Sequence, residues 1–307
     1  MIRDIAVIVP AADEEERIGR CLASIATAAR HLARREAGLR VRVVVTLDSC
    51  RDATAAACAA FPGVSTVSIT SRNVGAARRA GTRAVLADRA GPARELWLAS
   101  TDADSAVPAD WLTAMVAAAA RGVHLVLGTV LPGPDLSPAV RARWLARHDL
   151  RDGHPHVHGA NLGIRADAYL ALGGWLPLVA GEDADLARRA AAAGWLAISR
   201  TAGIPVVTSA RRAGRAPRGF SSYLRALADA TEFAGPELAS TDLAGPEPAR
   251  SEPARTGLAG VGETDLDGPA DLACLERRLR RGGGPAGHRP VRDPEDAAVP
   301  GTGQAAV

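Results

Sequence analysis

The sequence predicts an α/β fold in which helices flank a mostly parallel central sheet, with a smaller C-terminal region. Short β-branched and aliphatic runs alternate with segments of helical periodicity over residues 1–131, as in parallel sheets joined by crossover helices. These runs are apolar throughout, which is typical of strands buried on both faces. The 307 residues, 47% of them hydrophobic, are enough for one large globular domain.

The first half of the chain alternates strands with helices. Residues 5–9 are a continuous apolar run that Pro10 ends, which predicts the first strand. Apolar residues at helical spacing predict a helix over residues 14–35, with acids at its N-terminus where the helix dipole favours them. The later elements are strands at residues 41–47, 64–69, 96–99 and 123–130, and helices that end near residues 60, 89 and 120, the last with Pro108 in its first turn.

After residue 131 the pattern becomes irregular. A loop carries His154, His156 and His158 at alternate positions. Because the loop contains Pro and Gly and no paired Cys, a contribution to substrate binding is favoured over a dedicated metal site. The other predicted elements are helices at residues 137–148, 167–173 and 181–194, short strands at residues 159–165, 196–199 and 205–208, and a closing helix around residues 223–227.

Composition separates a folded part from a tail. From about residue 235 the chain consists mainly of Gly, Pro, Ala, Glu, Asp and Arg, with scattered aliphatic residues and no aromatic ones, which predicts a disordered tail over residues 235–307. The folded domain is therefore predicted at residues 1–234. Its two halves meet near residue 131, at about 1–131 and 132–234.

Charge and cysteine content exclude several classes of protein. The formal net charge of +3 gives no indication of nucleic-acid binding. Four cysteines without a Cys-x-x-Cys pair disfavour disulfides and zinc, and favour a cytoplasmic protein. The apolar N-terminus reads as a first strand rather than a signal peptide. No run approaches the length of a membrane span, which leaves peripheral membrane contact open. The first strand–helix turn also lacks the Gly-x-Gly-x-x-Gly of dinucleotide-binding sites.

The most informative stretch is Asp102-Ala-Asp104, which follows the apolar run at residues 96–99. Ligands bind at the carboxyl ends of strands in open α/β sheets, so both acids are candidates for one cation or one polar ligand. The alternative is that Asp104 caps the next helix and Asp102 lies in a solvated loop. Asp48 also stands at a strand end, which favours a shared ligand site.

Two further groups of residues carry charge at predicted helix starts. Arg78 lies in the helix that Asn73 and Gly75 open, where it could add a charge-assisted bond to a phosphate at the helix N-terminus. A solvated helix face is the alternative. Glu182 and Asp183 begin a later helix, where the dipole alone favours acids.

Over about residues 3–230 the sequence resembles family 2 glycosyltransferases, which have the GT-A fold with a Rossmann-like sheet. The resemblance rests on five motifs in order: Val-Ile-Val-Pro-Ala-Ala-Asp-Glu-Glu, Leu-Asp-Ser-Cys-Arg-Asp-Ala-Thr, Asn-Val-Gly-Ala-Ala-Arg, Asp-Ala-Asp and Gly-Glu-Asp. It implies a donor half at about residues 1–131 that carries a nucleotide-diphosphate sugar. It also implies an acceptor half at about residues 132–234.

The resemblance also assigns roles to individual residues. It places Pro10, Ala11 and Glu14 by the nucleotide, Asp48 at its base, Arg78 near the base or diphosphate, Asp102 at the ribose, Asp104 at the metal with Asp102 beside it, and Asp183 as the catalytic base next to Glu182. There are departures from the family pattern. Leu47 precedes a single Asp in the second motif, the Gln/Arg-x-x-Arg-Trp signature of processive synthases is absent, and no His lies between His158 and His288.

The implied activity is inverting hexosyl transfer from a nucleotide-diphosphate sugar to an acceptor hydroxyl, assisted by Mg²⁺ or Mn²⁺. The acceptor stays open between a small molecule, a lipid and a glycan. Arg211, Arg212 and Arg215 are candidates for binding the diphosphate or an anionic acceptor, or form a solvated basic loop. A nucleotidyltransferase is disfavoured because its Gly-rich, Arg- and Lys-bearing loop is missing and the chain contains no Lys. A non-catalytic nucleotide-sugar-binding module is the third alternative.

Overall fold

The computed structural model describes residues 1–211 and 220–233, and the strands of these residues form one mixed sheet. The strands are β1 (Asp4–Ala11), β2 (Arg40–Asp48), β3 (Val64–Ile69), β4 (Leu96–Ser100), β5 (Ser105–Ala106), β6 (Leu125–Pro132), β7 (Leu162–Arg165) and β8 (Ile198–Thr208). Their order in the sheet is β3-β2-β1-β4-β7-β6-β8-β5. β1 pairs in parallel with β2 and β4, β2 with β3, and β6 with β8. The sheet is thus mainly parallel, with β7 antiparallel between β4 and β6.

Helices pack on both faces of this sheet. They are α1 (Ile18–Ala33), α2 (Thr54–Ala59), α3 (Val74–Ala87), α4 (Trp111–Ala120), α5 (Pro138–Ala146), α6 (Ala166–Ala171), α7 (Glu182–Ala192) and α8 (Phe220–Phe233). Alternate residues of β1 enter two separate cores: Val7 packs with residues of α1 and α4, and Ile8 with residues of α3 and α7. A third cluster joins α5 to α8 around Trp144 and Leu224. The α/β fold class with a mainly parallel sheet is therefore confirmed.

Several elements differ from the prediction. The strand predicted at residues 159–165 covers only Leu162–Arg165, after a 3-10 turn at Gly159–Asn161, and β5 was not predicted. α1 begins at Ile18, not near residue 14, because the carbonyl of Glu14 accepts the amides of Arg17 and Ile18 in a preceding turn. α4 begins at Trp111, whose amide donates to the Pro108 carbonyl at 3.1 Å, so Pro108 precedes the helix. The strands predicted at residues 196–199 and 205–208 are one strand, β8, because pairing with β6 carries it through the interruption.

Two predictions concern residues outside this description. The tail at residues 235–307 lies beyond the described residues. Arg212 and Arg215 fall in residues 212–219, which are likewise not described. In the part of the chain that is described, no helix combines the length and apolar composition that crossing a bilayer requires.

Candidate functional site

A cavity of about 840 Å³ opens at the carboxyl ends of β1, β2 and β4 and extends toward α7 and α8. The predicted site residues all line it, although they come from widely separated segments. They are Pro10, Ala11, Glu14, Asp48, Arg78, Asp102, Asp104, Glu182 and Asp183. Arg211 lines it as well. The fold therefore brings both halves of the domain to one cavity.

Asp48, the last residue of β2, organises the segment that enters α3. Its carboxylate accepts the backbone amides of Ser71, Arg72 and Asn73, each at 2.8 Å. Asn73 then caps α3, because its side-chain oxygen accepts the Ala76 amide at 2.9 Å. Three N–H donors replace the water that this buried carboxylate loses on folding. Asp48 thus fixes the loop shape at the cavity edge.

Arg78 is the central cation of the site. Its guanidinium bonds to Glu182 at 3.0 Å and to Asp102 at 2.6 Å, and it also donates to the Ser100 hydroxyl. Only 2% of the Arg78 side chain is exposed, so the predicted alternative of a solvated helix face is wrong. Burial alone would lower the pKa of Arg78, but the carboxylates of Asp102 and Glu182 outweigh burial and raise it. Arg78 therefore ties the end of β4 to the start of α7.

Gly159 packs against this ion pair and also holds Asp183. A Cβ atom on Gly159 would lie 2.5 Å from Nη2 of Arg78, so a side chain there would force the guanidinium to shift. The Gly159 amide donates to Oδ2 of Asp183 at 2.6 Å, while Oδ1 accepts the Ala184 amide at 2.7 Å. These two bonds fix the Asp183 carboxylate at the cavity surface while leaving lone pairs on its oxygens.

Asp104 lies beside the second arginine of the cavity. Its Oδ2 is 3.0 Å from Nη2 of Arg211, and Oδ1 accepts the Thr208 hydroxyl at 3.3 Å. Arg211 also makes a bidentate pair with Glu14, at 2.7 and 2.9 Å. The N-cap position of α4 is Asp110, so the alternative in which Asp104 caps that helix is wrong.

The charge around Asp104 suits a cation. Burial, followed by repulsion from Asp102, raises the pKa of Asp104 to about 6 even with Arg211 beside it. Negative charge here is therefore incompletely compensated by the protein. Mg²⁺ and Mn²⁺ are hard ions that take one or two carboxylates and fill their remaining positions with substrate phosphates and water. Asp102 and Asp104 fit such an ion.

A second acidic cluster was not predicted from the sequence. Asp13, Cys50 and Asp52 place one ligand atom each within 4.8 Å of the others. Asp52 already accepts the Glu15 amide at 3.0 Å and bonds to Thr54, and burial raises the pKa of the Cys50 thiol. A protonated thiol is a poor ligand for hard ions, so Asp102 and Asp104 are the better match.

Other residues in or next to the cavity were also not predicted from the sequence. Ser100 could have been noted as a polar residue that ends a buried strand one residue before Thr101-Asp102. No local pattern marked Thr208, Phe220 or Tyr223, because each reaches the cavity only through tertiary packing. Of the three loop histidines, His158 lines the cavity.

The family model described as "Glycosyl transferase family 2" matches residues 6–168, more than half of the chain. The chain belongs to glycosyl transferase family 2. The matched segment contains Asp48, Arg78, Asp102 and Asp104 and ends before α7. A search of curated proteins found no match.

Several solved structures show similarity to this chain at low identity. S. aureus TarS 1-349 in complex with UDP is 13% identical over 68% of this chain, with a TM-score of 0.48, and this chain spans about 61% of that protein. M. tuberculosis glucosyl-3-phosphoglycerate synthase is 19% identical over 74% of this chain and 77% of its own, with a TM-score of 0.45. A further structure of that synthase contains Mn²⁺, UDP and phosphoglyceric acid (19% identity; 65% of this chain, 68% of that one; TM-score 0.42).

Proposed function

We propose that the protein is an inverting glycosyltransferase that moves a sugar from a nucleotide-diphosphate sugar to an acceptor hydroxyl with the help of a divalent cation. One observation carries the proposal. The acid pair Asp102 and Asp104 at the end of β4 shares a cavity with Asp183 at the start of α7, and Arg78 links the two sets of acids through Glu182. Membership in glycosyl transferase family 2 supports it.

The donor occupies the strand-end side of the cavity. The nucleotide lies along Pro10, Ala11 and Glu14, with its base near Asp48 and its ribose near Asp102, at the carboxyl ends of β1, β2 and β4. Asp104, with Asp102 beside it, would hold Mg²⁺ or Mn²⁺. Such an ion supplies charge neutralisation for the departing diphosphate.

Asp183 acts as the general base. The acceptor hydroxyl gives its proton to Asp183 as its oxygen bonds to the anomeric carbon, and the bond from that carbon to the phosphate oxygen breaks with its electron pair. A single displacement inverts the anomeric configuration. The amides of Gly159 and Ala184 hold the carboxylate in position throughout. Glu182, engaged by Arg78 at 3.0 Å, positions α7 rather than taking the proton.

Nucleotide release from a panel of nucleotide-diphosphate sugars, with Mn²⁺ or Mg²⁺, tests this function. We expect cation-dependent release that Asp104→Ala abolishes, since Asp104 holds the cation. Asp110→Ala is the matched control, because Asp110 is exposed and lies outside the cavity. Binding without turnover over many acceptors would instead indicate a non-catalytic module. No binding, no release and no effect of Asp104→Ala would overturn the proposal.

A further inference from the structure

The end of the cavity away from the strand edge is lined by aromatic and imidazole rings. His148, His158, Phe220 and Tyr223 line it, with Trp144 and His156 behind them. We call these six residues the aromatic wall. The chain has only five Trp, two Tyr and three Phe, so three of its ten aromatic residues meet here. Such concentration at a concave surface is typical of a ligand site.

The rings of the aromatic wall support one another from the core outward. Trp144, fully buried, stacks on His148 at 4.0 Å between ring centroids and 13° between planes. His148 contacts His156 at 5.0 Å and meets the edge of Tyr223 at 5.6 Å. The ring centroids of His156 and His158 lie 6.0 Å apart. Tyr223 is 37% exposed, so the outermost ring is held in place yet remains open to a ligand.

The aromatic wall is uncharged at neutral pH. Burial, followed by repulsion from His156 and His148, lowers the pKa of His158 to about 4. Burial also lowers the pKa of His148 and of His156. Neutral rings provide no charge attraction for an anion.

Four described arginines line the cavity, and none of them belongs to the aromatic wall. Arg51 and Arg72 lie in the loops that Asp13 and Asp48 hold at the strand edge. Arg78 is paired with Asp102 and Glu182, and Arg211 with Glu14 and Asp104. A phosphate or carboxylate bound beside the aromatic wall would lose water without gaining a cation from the described residues. Desolvation of an uncompensated anion costs free energy.

The polar atoms of the wall suit hydroxyl groups. Nδ1 of His148 donates to the Trp144 carbonyl at 2.7 Å, so Nε2 of the neutral ring is an acceptor. His158 directly precedes Gly159, whose amide holds Asp183 at 2.6 Å. A hydroxyl-bearing ring on the wall is therefore beside the candidate general base.

We propose that the acceptor is a neutral sugar residue, whose apolar ring face packs on the aromatic wall while one of its hydroxyls faces Asp183. A sugar ring combines an apolar C–H face with hydroxyl groups at its edge, which matches uncharged rings bordered by hydrogen-bond acceptors. The inference rests on the proposed glycosyl transfer and names the acceptor class of the same cavity.

The test uses the full chain with nucleotide diphosphate and diamagnetic Mg²⁺ and a matched acceptor panel: methyl hexopyranosides, the same glycosides as 6-phosphates, and 4-nitrophenol. Saturation-transfer-difference NMR reports contact between each ring and the protein, and donor assays report transfer. We expect contact and transfer for a neutral glycoside.

Tyr223→Ala should raise the KM for this glycoside about tenfold through loss of an aromatic contact. The donor KM should stay unchanged, and Tyr223→Phe should retain most of the affinity for the glycoside. Trp195→Ala, at an aromatic side chain that is 54% exposed outside the cavity, is the control.

Failure of this inference differs from failure of the proposed function. If nucleotide is bound and donor is hydrolysed, but the 6-phosphates or 4-nitrophenol are preferred, the neutral-sugar assignment is wrong and glycosyl transfer stands. The neutral-sugar assignment is also wrong if no neutral glycoside contacts the protein, or if Tyr223→Ala leaves the acceptor KM unchanged. If the protein neither binds nucleotide nor turns over a donor, both the neutral-sugar assignment and the proposed glycosyl transfer are wrong.

Discussion

The two ends of the cavity are built in opposite ways. At the strand edge, each acid has a charged or N–H partner within the protein: Asp48 takes three amides, Asp102 takes Arg78, and Asp104 takes Arg211. At the aromatic wall, rings such as His148 and Tyr223 meet edge to face, and the described residues form no ion pair with them. The strand edge is thus shaped by charge, and the wall by packing.

This contrast indicates which kind of ligand each end of the cavity can recognise. An edge with incompletely neutralised carboxylates favours a cation and its phosphate ligands, whereas neutral stacked rings select by shape and apolar area. Arg78 belongs to the charged end but lies against Gly159, which precedes β7 and holds Asp183.

The largest effect on stability is expected at Arg78. Arg78→Ala leaves the buried Glu182 carboxylate and the partly exposed Asp102 carboxylate without their cation, and breaking a buried pair such as Arg78–Glu182 costs about 3–5 kcal/mol. Urea unfolding measures this. Arg83→Ala, at an exposed arginine of the same helix, should change the free energy of unfolding by less than about 0.5 kcal/mol. A loss at Arg78 no larger than that at Arg83 would show that the pairs do not support the fold.

The aromatic wall should make stability fall in acid. The pKa of His158 is about 4 in the folded protein, below its ordinary 6.5, so the unfolded chain takes the proton first as pH falls. The contribution is therefore present above about pH 6.5 and is lost toward pH 4. Between pH 7 and pH 5 we expect a loss of about 1–2 kcal/mol from this residue. Urea unfolding at both pH values should show that His158→Phe loses less free energy of unfolding between pH 7 and pH 5 than the unmodified protein. An equal loss in both proteins would contradict this role of His158.

The contact between the two ends should respond to a single methyl group. Gly159→Ala forces a Cβ to within 2.5 Å of Arg78 Nη2, and overpacking of this kind costs about 1–3 kcal/mol. The strained amide should also misplace Asp183 and lower kcat. Gly19→Ala, where nothing lies within 4 Å of the new Cβ in helix α1, should be neutral or slightly stabilising. If Gly159→Ala and Gly19→Ala have the same free energy of unfolding and the same kcat, the close contact between Gly159 and Arg78 does not restrict the fold or the site.

Much of the strand edge could be predicted because local signals mark it. The apolar runs before Asp48 and Asp102 fix where the strands end, and parallel strands bring their carboxyl ends together. The Arg78–Glu182 bond joins residues 104 positions apart, and no local pattern indicates it. The single strand β8 was missed for the same reason, since its continuity comes from pairing with β6.

The aromatic wall was beyond local prediction. The alternating histidines marked a loop of interest, but Trp144, His148 and Tyr223 meet there only because α5 packs on α8. Burial in this packing lowers the pKa of His148, His156 and His158, which residue types alone do not reveal. The sequence therefore indicated the end of the cavity formed by strand ends better than the end formed by helix packing.

The most direct test of the account compares Asp104→Asn with Asp183→Asn in calorimetric titrations of nucleotide diphosphate with Mn²⁺, alongside transfer assays. The account predicts that Asp104→Asn weakens nucleotide binding, whereas Asp183→Asn binds it normally yet loses about 10²–10⁴-fold in kcat, the usual share of a general base. If Asp183→Asn loses nucleotide binding instead, or transfers sugar at the normal rate, the assignment of the cation and the base to separate sides of one cavity is contradicted.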